Sequence, residues 1–383
     1  MALNTVSSDR LSTNVKNTNF TAAEKQDLTD DILPLAGELG NRNKLINGGM
    51  SVSQRGTSFT TGDNAEHFSA DRWVLYAQNT GSRFTITQST DTPDGFGNSL
   101  KIDCTTADTS LASNEEVQFY QKVEGFNTQD FAKGTSGAKQ YTLSFYVKTN
   151  KTGTYIVRLL GRDNTTSHVA ASYTVSDTNW NRYTLTFPAD TTSGRGDNND
   201  NGEALRVVWW LVAGSAVNSG SLQTTWANSS DTGAATGQVN FADSTSNDFF
   251  ITGCQLEVGS VATDFEHRSF GQEVALCERY CQAVLDGSDA NNSGQHDIVG
   301  HTYTANNVFV IPRTRTKMRA APSISTNTGS FYYNVFSQGS SVYFDSIGCN
   351  RHAVSSAWVY PSSIICHLFF IIVPLPALLL KQC

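Results

Sequence analysis

Short runs in which apolar and polar residues alternate fill the middle of the chain, and they constrain the fold more than any other feature. In an extended strand, alternate side chains point to opposite faces. Three runs divide into two faces in this way. The apolar faces are Tyr141, Leu143, Phe145 and Val147 in "YTLSFYVK" and Tyr183, Leu185 and Phe187 in "RYTLTF"; "LRVVWWLV" places Leu205, Val207, Trp209 and Leu211 opposite Arg206, Val208, Trp210 and Val212.

Further strand candidates are punctuated by Gly, Asn and Asp: "RWVLYAQ", "RFTITQS", "SLKIDC", "EVQFYQKVE", "TYIVRLL", "GQVNFA" and "FFITGCQLE". Charged residues make up only 16% of the 383 residues and hydrophobic ones 38%, which is typical of a strand-and-turn protein. The pattern predicts a mainly β protein, an antiparallel β-sandwich of the jelly-roll type.

The segments around this sandwich differ in character. We expect an N-terminal arm over 1–43, where Thr21 and Glu24 form a possible capping box before Pro34, although a disordered leader is an open alternative. The sandwich covers 44–268. A connecting helix over 269–286 begins with a second capping box, Ser269 and Gln272, and a small C-terminal β module covers 287–383.

Charge and cysteine usage exclude some classes of protein. The formal charge of −8 argues against a nucleic-acid binder. Seven cysteines without metal-type spacing favour synthesis in a reducing cytosol, and the first residues resemble no secretory signal. Cys277 and Cys281 lie one helical turn apart and are predicted to pack in the core, because nothing nearby supplies two further metal ligands.

Five stretches occur in an order that resembles a family of tail-fibre and related appendage proteins of tailed bacteriophages. They are "NKLINGGMSVSQRG", "FSADRWVLY", "YTLSFYVKT", "CQLEVGSVATDFEHRSFGQEVALCERYCQ" and "KMRAAPSIS", and the resemblance covers about Lys44 to Ser325. It implies a jelly roll similar to carbohydrate-binding modules, followed by a helix and a small β module.

The resemblance also implies a function. We expect a virion appendage, a tail fibre or receptor-binding protein, that recognises glycans on a bacterial host. It would be made in the host cytoplasm, join other virion proteins through its arm and assemble as a homotrimer. The alternative is a structural decoration or connector protein of the capsid or tail. A depolymerase fragment ranks third.

The last residues depart from the resemblance. The apolar core of "SSIICHLFFIIVPLPALLLKQC" falls short of the roughly 20 residues that span a bilayer, and it contains His367, Pro374 and Pro376. A shifted reading frame, a buried trimer plug and membrane contact all remain open interpretations of 361–383.

No catalytic motif stands out, so the sequence predicts a binding protein and not an enzyme. Sugars are held by flat aromatic rings beside planar polar groups. We expect an outward-facing sugar platform, on the assumption that strands 141–148 and 205–212 share a sheet. The opposing interpretation buries both Trp209 and Trp210, one in each layer of a sandwich covered by neighbouring subunits. The candidate carbohydrate-binding residues are Tyr146, Arg158, Arg206, Trp210 and Trp226.

The loop "GRGDNNDNGE" is rich in oxygen ligands. Asp197, Asn199, Asp200 and Glu203 form a possible structural Ca²⁺ site, the only cofactor considered, although a plain hydrated hairpin is the simpler interpretation. The Arg195-Gly196-Asp197 triplet resembles an integrin ligand, but three residues carry little information.

Overall fold

The computed structural model describes residues 41–283 and 315–320 in full, and the backbone of six short strands between residues 300 and 369. One helix, α1 (Phe270–Glu278), and three short 3₁₀ turns (Gly125–Asn127, Gln129–Phe131, Phe241–Asp243) occur in these parts. The strands of the main domain are β1 (Ser58–Thr60), β2 (Ala65–Phe68), β3 (Val74–Gln78), β4 (Phe84–Ser89), β5 (Ser99–Cys104), β6 (Glu116–Glu124), β7 (Tyr141–Thr149), β8 (Gly153–Gly161), β9 (Ser167–Val175), β10 (Asn181–Phe187), β11 (Glu203–Ala213), β12 (Ala227–Asn228) and β13 (Asp248–Val258).

Two antiparallel sheets form the domain. The six-stranded sheet has the order β1-β4-β5-β13-β7-β10, and the seven-stranded sheet has the order β12-β9-β8-β11-β6-β3-β2. Neighbours in the sheets are mostly distant in sequence, so the strands cross repeatedly between layers. The predicted antiparallel jelly-roll sandwich is confirmed.

The main core lies between the sheets and has an aromatic centre. The rings of Trp73 and Phe119 stack at 4.9 Å, and Phe145 meets Trp209 edge to face at 5.4 Å. The inward faces predicted from alternation are confirmed, because the apolar positions of β7, β10 and β11 all belong to or pack against this core.

The assumed pairing of strands is wrong. β7 and β11, which were expected to share one sheet, lie in opposite layers of the sandwich. Tyr146 on β7 and Trp210 on β11 therefore point away from the core in opposite directions. Alternation fixes the two faces of each strand, but only long-range pairing decides the sheet to which the strand belongs.

A second, smaller core covers the outside of the seven-stranded sheet. The outward side chains of Val208 and Trp210 pack beneath Val217, Ala234 and Ala235, which belong to the long connection between β11 and β13. This part of the outer face is closed by the chain itself.

Helix α1 begins as predicted and ends earlier. Ser269 and Gln272 form the complete capping box, and Cys277 is buried against Ile46 and Val52. The helix ends at Glu278, and the next two residues bind the sandwich: Arg279 donates two hydrogen bonds to the Glu124 carboxylate (2.9 and 2.7 Å), and the Tyr280 hydroxyl donates a third.

Two of the segments that carry the family resemblance meet in space. Asn43 donates to the Cys254 carbonyl (3.0 Å) and accepts from the Leu256 amide (3.1 Å), while the Glu266 carboxylate accepts from the Asn43 amide (2.8 Å). A side chain at Gly48 would collide with the Cys254 carbonyl. The "INGGM" and "QLE" elements therefore hold the start of the sandwich against its last strand, which is a structural role.

Three antiparallel pairs follow the sandwich: β14 (Gly300–Thr304) with β15 (Asn307–Val310), β16 (Tyr333–Ser337) with β17 (Ser340–Phe344), and β18 (Gly348–Asn350) with β19 (His367–Phe369). The predicted arm up to residue 40 and most of the apolar tail lie outside the described residues. Within the described part of the chain, no helix is both long and apolar enough to cross a membrane.

Candidate functional site

Three of the five predicted sugar-binding residues lie on the seven-stranded sheet, where they make internal contacts. Trp210 points outward, as alternation predicted, but it is only 1% exposed because the connection between β11 and β13 covers it. The expected exposed platform at Trp210 is wrong. Both tryptophans are buried, as in the opposing interpretation, but the chain's own connection covers Trp210 where that interpretation expected neighbouring subunits.

Arg158 is buried under the same connection. Its guanidinium donates to the Ser229 hydroxyl (2.8 Å) and to the Ser230 carbonyl (3.3 Å). Burial lowers the pKa of Arg158 to about 10. Burial, together with this cation, also lowers the pKa of His168 to about 4, so His168 is neutral at physiological pH. Arg158 therefore supports the covering chain and is not available to a ligand.

Arg206 and Trp226 are also engaged within the protein. Arg206 donates to both carboxylate oxygens of Glu203 (2.6 and 3.0 Å) and lies over the Tyr120 ring at 4.6 Å. The Trp226 indole packs against the main core and donates to the Pro188 carbonyl (2.7 Å). Neither Arg206 nor Trp226 lies on the same surface as Tyr146.

The four proposed calcium ligands do not converge. Asp200 accepts from the Gly202 amide (2.7 Å), Glu203 binds Arg206, and Asn199 is exposed. Asp197 instead faces a buried ammonium group, since Lys133 Nζ lies 3.7 Å from both Asp197 and Asp190. Across residues 41–283 and 315–320, no group of three or more His, Cys, Asp or Glu residues could hold a metal ion.

The outer face of the six-stranded sheet is covered along one half. The chain after β13 folds over it, and the buried side chains of Gln255 and Glu257 hold that chain in place. Glu257 accepts from the Thr263 amide (2.9 Å) and hydroxyl (2.7 Å), while Gln255 accepts from the Glu266 amide (2.8 Å). These polar residues of the "QLE" element are therefore structural.

The other half of this face carries a row of side chains across four strands, which we call the Trp180 row. Strand register places Phe250 of β13 between Lys101 of β5 and Lys148 of β7. Trp180 directly precedes β10 and lies next in the row, with its ring 6.2 Å from that of Phe250. Neighbouring strands are about 4.8 Å apart, so the row extends over roughly 14 Å.

Trp180 is half-buried, and its indole is held in one orientation. The indole N–H donates to one oxygen of Asp91 (2.9 Å), and Lys148 donates to the other oxygen (2.6 Å). These two hydrogen bonds lower the pKa of Asp91, so the carboxylate stays ionised and keeps both partners in place. A ring fixed in this way loses little conformational entropy when a ligand stacks on it.

Tyr146 lies beside the row, with Arg182 as its cross-strand neighbour. Its ring packs against Phe96 at 5.3 Å. Both rings fit only because residue 253 is glycine: its φ is +62°, and a Cβ there would lie 2.7 Å from Phe96 and 2.8 Å from Tyr146. Of the five predicted residues, Tyr146 alone lies on this open half.

Acidic groups border the other end of the row. Asp103 and Asp248 are opposite each other on β5 and β13, and Lys101 lies 3.7 Å from the first and 3.0 Å from the second. A hydrogen bond with Asp248 raises the pKa of Asp103, because one shared proton relieves the repulsion between the two carboxylates. The open half thus combines aromatic rings with hydrogen-bonding groups of both signs.

Comparisons with known proteins gave matches only among solved structures. No protein-family model matches the sequence, and no curated protein matches it. A CBM4 structure is 14% identical, covering 55% of this chain and 97% of its own, with a TM-score of 0.27. The CBM22-1–CBM22-2 tandem domain of Xyn10C from Paenibacillus barcinonensis is 14% identical, covering 52% and 50%, with a TM-score of 0.29.

A third structure is the family 11 carbohydrate-binding module from Clostridium thermocellum in complex with a β-1,3-1,4-mixed-linked tetrasaccharide. It is 11% identical and covers 55% of this chain and 98% of its own, with a TM-score of 0.28. By their names, all three are carbohydrate-binding modules. The jelly-roll assignment of this chain rests on its own strand order.

Proposed function

We propose that this chain is a non-catalytic carbohydrate-binding protein that holds a saccharide on the open half of its six-stranded sheet. The observation that carries the proposal is the half-buried Trp180 indole, fixed by Asp91 and Lys148 at the end of the Trp180 row. Pyranose rings present apolar C–H faces that stack on flat aromatic rings, and their hydroxyl groups need nearby donors and acceptors. The row offers both over a length that exceeds one sugar ring.

The two outer faces of the sandwich differ in a way that favours this location. On the seven-stranded sheet, the long connection between β11 and β13 covers Trp210. The six-stranded sheet leaves Trp180, Tyr146 and Phe96 partly exposed beside ionised groups. Exposed aromatic rings are costly to leave in water, so a cluster of them marks a surface that binds something.

Trp180→Ala is the direct test. We expect the variant to lose about 2 kcal/mol of binding free energy, roughly a thirtyfold loss of affinity, because the stacking ring is removed. Its melting temperature should change little, since the ring is half-buried and the Asp91–Lys148 ion pair remains. A glycan array followed by calorimetry on the best ligand measures both quantities.

Phe126→Ala is the matched control, because Phe126 is 51% exposed and follows β6 of the other sheet. It should bind like the wild type. Equal affinity of wild type and Trp180→Ala for the same glycan would refute the proposed face, and no glycan binding by the wild type would refute the function.

We further propose that the chain acts in a virion, as a tail fibre or receptor-binding protein that recognises host-surface glycans. Two of the segments that resemble such proteins, "NKLINGGMSVSQRG" and the one that begins with "CQLE", meet near the Leu256 end of β13, where Asn41 contacts Glu266 and the chain continues into α1. Phe250 of the Trp180 row lies six positions away along β13, about 20 Å. Attachment at one end and ligand binding at the other suits an appendage.

In this proposal the chain is made in the host cytoplasm, and residues 1–43 bind other virion proteins. A homotrimer repeated around the particle would turn weak sugar contacts into firm adhesion, because linked sites rebind before the particle escapes. Antibodies against residues 41–283 should decorate tail tips in electron micrographs and block adsorption to host cells. Decoration of the capsid shell, with normal adsorption, would favour the decoration-protein alternative.

A further inference from the structure

Among the described residues, two of the three basic side chains on the open half form ion pairs, and the third does not. Lys101 lies 3.0 Å from Asp248, and Lys148 lies 2.6 Å from Asp91. Arg182 has no carboxylate within ion-pair distance in the described part of the chain. Its Nη2 donates to the Ser144 hydroxyl (3.2 Å) and to the Thr263 carbonyl, both of which are neutral acceptors.

These two contacts fix Arg182 without using all of its donors. Ser144 belongs to β7, and Thr263 belongs to the chain that folds over the covered half, so the guanidinium is held from two sides. Its Nε–H and Nη1–H groups have no acceptor among the described residues. A planar guanidinium with free donors matches the two oxygens of a carboxylate better than it matches a single hydroxyl group.

The surroundings of Arg182 suit a sugar ring. Its cross-strand neighbour is Tyr146, whose ring packs against Phe96. Trp180 precedes it by two residues and therefore points to the same side of β10. A saccharide stacked on Trp180 would bring a substituent of the same or the next ring within reach of the guanidinium.

We infer that the open half binds an acidic saccharide, one that carries a carboxylate on its ring, and that Arg182 receives this carboxylate. The inference rests on the proposed carbohydrate function. It also predicts how the ligand is oriented on the sheet. Asp248 on β13 and Asp103 on β5 lie two and three strands away from Arg182 on β10, and they would repel an anion. The carboxylate therefore lies at the β10 edge, and neutral hydroxyl groups face the acidic pair.

The test compares charged and uncharged forms of the same polymer. Uronic-acid polysaccharides of bacterial capsules are run in native affinity gels against the protein, each beside its own methyl ester, together with neutral glucans. We expect the free acids to bind about ten- to a hundredfold more tightly than their esters, as is typical of charge-assisted hydrogen bonds. Raising the salt concentration should weaken binding of the free acid only.

Variants assign the effect to one side chain. Arg182→Gln should remove the preference for the acid while leaving the weaker binding of the ester. Arg162→Gln is the matched control, because Arg162 is an exposed arginine at the end of β8 in the other sheet, and it should keep the preference.

The outcomes separate the two proposals. If acids and esters bind equally and Arg182→Gln changes nothing, the inference is overturned while the carbohydrate function stands. Tighter binding to neutral glucans than to the acids would also overturn the inference and leave the carbohydrate function standing. Failure of the protein to bind any polymer, acidic or neutral, overturns both.

Discussion

Trp210→Ala will lower the free energy of unfolding by about 3–5 kcal/mol, the range typical of large-to-small changes in a core. Trp210 is 1% exposed and packs with Tyr120, Ile156 and Val208 beneath the connection between β11 and β13. Its loss leaves a cavity that the sheet cannot close, because the backbone positions of β6, β8 and β11 are fixed by ladder hydrogen bonds. Urea denaturation measures the change.

Glycan binding by the folded Trp210→Ala protein should be unchanged, since the Trp180 row lies on the opposite side of the sandwich. Trp180→Ala should show the reverse pattern, with normal stability and weak binding. A Trp210→Ala protein that unfolds at the wild-type urea concentration would contradict the second core. One that is stable and no longer adsorbs to host cells would restore Trp210 as a binding residue.

The sequence predicted much of the fold because alternation is a local property. The polar and apolar positions of β7, β10 and β11 follow from a two-residue period, and the structure places the apolar positions in the core. The capping box at Ser269 is equally local, and it too is confirmed. Each of these predictions needs only neighbouring residues.

The candidate site depended on pairing between distant strands, which alternation cannot give. Tyr146, Arg206 and Trp210 all point outward, but from two different sheets. The long connection after β11 has no strong periodic pattern, so nothing in the sequence indicated that it would cover Trp210. A second buried layer of this kind appears only when the sheets are assembled.

Trp180 was missed, although a signal was present. In "NWNRYTLTF" the core residues are Tyr183, Leu185 and Phe187, so Trp180 shares its side of the strand with Arg182. An aromatic residue on the polar side of a strand is the pattern expected of a binding surface. Trp180 lies one position before the strand begins, so the alternation within the strand does not include it.

Lys133→Met will cost about 3–5 kcal/mol of stability, the usual result of leaving a buried charge without its partner. The side chains of Lys133, Asp190 and Asp197 are 1%, 0% and 6% exposed. Lys133 also donates to the Arg195 carbonyl (2.6 Å). Methionine retains most of the volume, so the loss reports charge and hydrogen bonding more than packing.

Lys133→Met should destabilise the Asp197 carboxylate more than the Asp190 carboxylate. Asp190 keeps a cation, because Arg195 lies 3.6 Å from it, whereas Asp197 loses the only ion pair that the described residues give it. Adding Asp197→Asn to Lys133→Met should therefore recover more than half of the lost stability. A double variant as unstable as the single one would mean that Lys133 acts through packing.

The pH dependence of the same variant has a defined sign. Burial already raises the pKa of Asp197, and loss of the nearby ammonium group raises it further. The folded variant then takes up a proton at a higher pH than the unfolded chain, so its deficit relative to wild type should shrink as the pH falls from about 7 towards 4. A deficit that stays constant over this range would exclude an uncompensated carboxylate as its cause.

Calcium distinguishes a site filled by the Lys133 ammonium group from a metal site. In the wild type the Lys133 ammonium occupies the position between Asp190 and Asp197 where a cation would be expected, so millimolar CaCl₂ should leave the melting temperature unchanged. In Lys133→Ser the ammonium is replaced by a small hydroxyl group, and the same two carboxylates face each other across an unoccupied space. Calcium should then stabilise the variant, because a ligand that binds only the folded state shifts the unfolding equilibrium. Stabilisation of the wild type by calcium would show instead that Asp190 and Asp197 hold a metal ion even with Lys133 present.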